Sequence, residues 1–163
     1  MTNVRLAIDT GVEALTITDA IGNELYSPRH AIARIQASRD AIAASGVEVL
    51  LVGRSEGLAI GRAGLNETIG RLVAYADGGA DVLCAPGLSQ PNAIRTVVEA
   101  VAPKAVDVAL AKPGMTAVEL GNLGVRRISV DDSIAAATRA SFERFTQRFI
   151  EFGDLTLDGS PAA

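Results

Sequence analysis

The chain reads as an α/β protein built as a partial (β/α)8 barrel, with about five strand–helix units of parallel sheet. Two observations predict this. First, one pattern recurs: Gly11-Val12-Glu13-Ala14-Leu15-Thr16-Ile17, then residues 46–52, 79–85 and 124–130, with a glycine-free variant at 105–110. Each is a helix-ending glycine, free to take the left-handed backbone, followed by a short apolar run. Such runs suit strands of a parallel sheet covered by helices. Second, 163 residues hold five such units, whereas a closed barrel needs roughly 200 residues or more.

The elements follow in order. Residues 4–10 are expected as a short amphipathic helix and 14–17 as the first strand, with a loop over 18–23. Ser27-Pro28 opens a helix, serine as cap and proline in the first turn; Ile32, Ile35 and Ile42 recur along it at helical spacing, and Gly46 ends it. Residues 47–52 are the second strand, and 53–57 its exit loop. A helix over 66–77 capped by Asn66, a strand over 81–85 and a helix from Gln90-Pro91 to Val101 follow. Residues 105–109 form the fourth strand. Thr116 with Glu119 makes a capping box for a helix over 117–122, and 127–130 is the last strand. Asp132-Ser133 caps a terminal helix over 134–152 that carries all four phenylalanines, Phe142, Phe145, Phe149 and Phe152, as a packing or oligomer surface. Residues 1–153 are expected as one domain, and 154–163 as a disordered tail.

Composition narrows the function classes. Hydrophobic residues are 48% of the chain, enough for a good core. A net charge of −4 and dispersed Lys and Arg argue against a nucleic-acid partner. No apolar run approaches the ~18 residues of a membrane span, and no signal-peptide core follows the N-terminus. Cys84 has no second cysteine to pair with and lies in an apolar strand, which reads as an inert buried thiol in a cytoplasmic setting.

Ligands of parallel α/β folds bind beyond the carboxyl ends of the strands. That rule selects Asp19, then Arg54, Ser55 and Glu56, then Lys112, Ser129, Asp131 and Asp132, with the Pro86-Gly87 turn giving backbone access. Arg54 is the leading candidate, because its planar fork suits a carboxylate or phosphate; an ion pair with Asp19 or Glu56 is the plain structural alternative. Asp19 is a candidate oxygen ligand for Mg2+, or else a loop-fixing carboxylate. His30, at a helix start, reads as a surface residue. No catalytic residue is assigned.

Several segments, taken together, resemble the isocitrate lyase/phosphoenolpyruvate phosphonomutase superfamily, most closely its 2-methylisocitrate lyase-like members. They are residues 11–19, 33–41, Val52-Gly53-Arg54-Ser55-Glu56, 74–81 and Glu119-Leu120-Gly121-Asn122-Leu123-Gly124-Val125-Arg126-Arg127-Ile128-Ser129. The resemblance implies a (β/α)8 barrel and Mg2+-dependent chemistry on C–C or P–C bonds of small 2-oxo or hydroxy carboxylic acids. It implies an arginine, here Arg54, on the substrate carboxylate; Ser55 and Gly87, selected by the strand-end rule, are expected to bind substrate with it. It also implies a homo-oligomer, through the last helix or an open sheet edge.

The departures are specific. The chain opens at what corresponds to the family's fourth strand, so the strands bearing the acidic metal motif are expected to be missing. The Glu-Asp ending that strand is Thr18-Asp19 here, and Asn-Ala-Arg-Thr-Asp has become Val52-Gly53-Arg54-Ser55-Glu56. The lyases' Lys-Lys-Cys-Gly run is absent. The expectation is a retained carboxylate clamp with most of the metal site lost. The alternative is an inactive barrel remnant that binds small carboxylates or oligomerises.

Overall fold

The computed structural model describes residues 2–110, 114–130 and 132–153. Twelve elements form one compact unit over residues 2–109 and 114–129: α1 (Thr2–Asp9), β1 (Ala14–Thr18), β2 (Ala20–Ile21), β3 (Glu24–Leu25), α2 (Pro28–Ser45), β4 (Leu50–Arg54), α3 (Leu65–Asp77), β5 (Val82–Cys84), α4 (Pro91–Val101), β6 (Ala105–Ala109), α5 (Ala117–Asn122) and β7 (Arg127–Ser129). A second unit holds Leu110, Val130 and α6 (Ser133–Phe152). These two units are each compact in themselves.

Five strands make one sheet in the order β1-β4-β5-β6-β7, every pairing parallel. This is the βα alternation that the recurring glycine–strand pattern requires, and the fold is a partial α/β barrel. The three central strands are buried, while β1 and β7 at the edges are only part-buried. Full burial on both faces therefore holds for the interior of the sheet alone.

Local chemistry sets the boundaries. Ser27 accepts from the backbone N–H of His30, Pro28 starts α2, and Gly46 closes it with φ +69°. Thr116 and Glu119 form the reciprocal capping box of α5. In contrast, α3 is capped by Gly64 without a side-chain bond, so Asn66 lies inside the helix. Asp132 caps α6 but makes no side-chain cap bond. The second large strand begins at Leu50 rather than residue 47, because its ladder with β1 starts at the Ala14–Leu50 pair. The expected loop over 18–23 contains half of a small antiparallel hairpin, β2 with β3.

Side-chain alternation gives the sheet two faces. Gly53 faces α3: a Cβ there would lie 3.0 Å from Tyr75 Cβ and 3.2 Å from Ala80 Cβ. On the other face Val52, Val82 and Ala105 pack together. Two residues further along, the paired row Thr18–Arg54–Cys84–Asp107–Arg127 crosses the sheet. By that alternation Arg54, Cys84 and Asp107 share the face of Val52, Val82 and Ala105, on the side away from α3. This row positions the candidate site.

Candidate functional site

Asp19 follows β1 directly and is 2% exposed. Its Oδ2 accepts from Ser55 Oγ at 2.9 Å, from Tyr75 Oη at 2.7 Å and from Arg71 Nη1 at 3.3 Å. Its Oδ1 accepts from the Glu56 backbone N–H at 2.8 Å. A buried carboxylate needs such donors to offset its lost hydration. Arg71, also buried, bonds Glu67 on its own helix and the Tyr26 carbonyl. Desolvation and the neighbouring Asp19 both push the Tyr75 hydroxyl well above the ordinary tyrosine range, so it stays protonated and donates.

Arg54 ends β4 with its side chain 30% exposed, and Glu56 Oε1 accepts from its Nε at 2.5 Å. Thr18 Oγ1 donates to the same Glu56 oxygen at 3.4 Å. Arg54 and Glu56 thus come together at the carboxyl ends of β1 and β4, as the strand-end rule requires.

Ser55 is placed differently from Arg54. It is fully buried and its hydroxyl is turned to Asp19. Gly87 has φ +88°, and a Cβ there would lie 3.2 Å from Ala59 N. The close backbone approach at Gly87 is therefore made by the loop after β4. Lys112 and Asp131 lie outside the described residues. Ser129 Oγ donates to Asp107 Oδ2 at 2.9 Å, and His30 is exposed and stacked on Tyr26.

Asp107 is a polar feature that the sequence reading passed over. It is buried, accepts from Arg127 Nη1 and Ser129 Oγ at 2.9 Å each, and has no partner on Oδ1. Its charge and, above all, burial push the neighbouring Cys84 thiol up to about 12. An aspartate inside the apolar run Val106-Asp107-Val108 was the available signal. Tyr75 and Arg71 were also missed, although one helix turn apart on α3. Nothing local marks them as partners of Asp19.

The described residues do not fit a Mg2+ ion. Asp19 spends both oxygens on four protein donors, one of them a guanidinium. Thr18 offers a neutral oxygen. Glu56 is engaged by Arg54, and no cluster of three His, Cys, Asp or Glu side chains is arranged for a cation among the described residues.

The family model described as phosphoenolpyruvate phosphomutase matches residues 1–150. The chain belongs to the phosphoenolpyruvate phosphomutase family. Among solved structures of similar fold is a candidate lyase/mutase from Burkholderia cenocepacia J2315, 35% identical with a TM-score of 0.90, covering 99% of this chain and 60% of its own. An oxaloacetate acetylhydrolase is 25% identical with a TM-score of 0.87, covering 98% of this chain and 57% of its own. A phosphoenolpyruvate phosphomutase from Streptomyces platensis subsp. rosaceus shares the fold at 22% identity, with a TM-score of 0.79, 98% of this chain and 60% of its own. The chain thus spans about three fifths of the length of these relatives. Comparison with curated proteins finds no match. No helix among the described residues is long and apolar enough to cross a membrane.

Proposed function

We propose that this phosphoenolpyruvate phosphomutase-family chain binds a small 2-oxo or hydroxy carboxylic acid, with Arg54 on the ligand carboxylate. The observation that carries the reading is the part-exposed Arg54 guanidinium at the mouth of the sheet, a planar cation whose shape suits a carboxylate. In this reading Gly87 shapes the rim. Ser55 and Asp19 act from beneath by fixing the strand ends, Asp19 as a structural carboxylate in place of a metal ligand. The family chemistry, a lyase or mutase step on a C–C or P–C bond beside the carboxylate, is proposed for the whole protein in the cytoplasm. The magnesium it implies is not drawn from the residues described above. This chain alone is expected to release no pyruvate from 2-methylisocitrate, and Mg2+-dependent release would refute that.

Calorimetric titration with oxalate tests the binding. Losing a charged, bidentate partner costs on the order of 2 kcal/mol, so Arg54→Ala should weaken oxalate at least tenfold at low salt. Equal affinity in the variant would overturn the reading.

A second reading, an oligomerising module, is favoured by α6. Phe142, Phe149 and Phe152 are 70%, 53% and 75% exposed on it, and none of its described residues is buried. Sedimentation velocity distinguishes a monomer from a homo-oligomer.

A further inference from the structure

We propose that the cleft at the amino ends of β1 and β4 is a second ligand site, for a small ammonium ion with an apolar body. The cleft is a cavity of about 550 Å³ lined chiefly by Glu13, Arg39, Ile42, Val47, Glu48 and Leu50. That volume is within the roughly 300–1,000 Å³ of small-molecule sites. The cleft lies between the carboxyl end of α2 and the start of the sheet, where the Glu13 carbonyl accepts from Leu50 N at 2.9 Å. Arg54 stands at the other end of β4, roughly 13 Å further along the strand. The cleft is therefore independent of the carboxylate-binding reading.

Two properties of the lining select the ligand. The first is an apolar wall. Val47 is 52% and Leu50 50% exposed, while Val49, Leu51 and Val52 of the same run are buried. The second is charge. Arg39 is committed: its Nε donates to the Gly79 carbonyl at 2.8 Å and its Nη2 to Asp81, which also takes the Leu51 N–H at 2.8 Å. Glu13 and Glu48 are exposed, and neither side chain has a hydrogen bond or ion pair among the described residues. Arg39 and Asp81 cancel, so the two glutamates leave the cleft negative. The α2 helix also ends here at Gly46, which adds the negative end of its dipole. An anion is repelled. A bare inorganic cation gains nothing from Val47 and Leu50, and a neutral apolar molecule gains nothing from the glutamates. An ammonium ion on an apolar body uses both.

NMR titration of the full chain at low salt tests this with three probes of one shape: 2-phenylethylammonium, 2-phenylethanol and phenylacetate. The ammonium should shift the amides of Gly46, Glu48 and Leu50 and bind about tenfold tighter than phenylacetate, with the alcohol between them. High salt should shrink that preference, because exposed charges are screened. Glu13→Gln combined with Glu48→Gln should weaken the ammonium roughly three- to tenfold, the worth of two exposed charge pairs, and leave the alcohol unchanged. Both glutamates are exposed and unpaired, so the double variant should keep its fold, and the order of the three probes is read on the unaltered protein. Equal binding of the three probes, shifts confined to other residues, or an unchanged ammonium affinity in the double variant overturns the proposal. Self-association that excludes the ammonium and is lost in the double variant also overturns it, by making a second copy the occupant.

Discussion

Tyr75 and Asp19, 56 residues apart in sequence, meet through a buried 2.7 Å hydrogen bond that ties α3 to the carboxyl end of β1. The donor is a phenol held protonated by burial and the acceptor is a carboxylate, so the bond is of the stronger, charge-assisted kind. Tyr75→Phe removes only the hydroxyl. Asp19 keeps Ser55, Arg71 and the Glu56 N–H. The expected loss is about 2 kcal/mol, read as a lower urea midpoint with an unchanged slope.

Asp19→Ala is expected to cost more. Arg71 and Asp19 have side chains 6% and 1% exposed, and removing the acid leaves a buried guanidinium with Glu67 as its remaining carboxylate partner. Stripping one partner from a buried pair costs about 3–5 kcal/mol. Chemical denaturation should show a variant close to the limit of folding, and a loss under about 1 kcal/mol would mean that the network contributes little.

Cys84 should be inert while the protein is folded. Its thiol is pushed from the usual 9.0 to about 12 by burial, with Asp107 adding to the effect. A maleimide at pH 8 should label it only as fast as the chain opens. The sign for stability follows from linkage. Between pH 9 and 12 the unfolded thiol ionises and the folded one does not, so stability falls as pH rises through that window. Cys84→Ala should flatten that fall.

Thr116→Ala breaks the capping box of α5. The threonine hydroxyl accepts from Glu119 N, and Glu119 Oε2 accepts from Thr116 N at 2.7 Å. The expected cost is about 1 kcal/mol in thermal unfolding. Glu119 is held below the ordinary carboxylate range by the Thr116 backbone and hydroxyl. Its contribution is therefore present at neutral pH and lost as pH falls through its lowered value.

What the sequence carries plainly is whatever is decided within a few residues. Ser27-Pro28, Gly46 and the Thr116–Glu119 pair mark helix ends because caps are local bonds. The order of strands followed from the recurring glycine–strand units. What it hides is decided by register and burial. The shift of β4 to Leu50–Arg54 depends on which residues pair with β1. The hairpin β2–β3 is made of two-residue strands, too short for any periodicity. Arg54 was legible because it stands at a strand end. Its partner Glu56 was legible only as one alternative, and Ser55 turned inward because Asp19, a neighbour in space alone, supplies the acceptor.

Gly53 stands behind Arg54 with no side chain, and α3 has settled into that gap, with Tyr75 Cβ 3.0 Å from where a methyl would stand. Helix-to-sheet spacing at this point is fixed by an empty place, and the same tyrosine reaches over to Asp19. A single added carbon on this side of the sheet would thus lift Tyr75 and slacken its bond to Asp19, so the buried carboxylate at the end of β1 owes its tightest donor to a side chain that is not there.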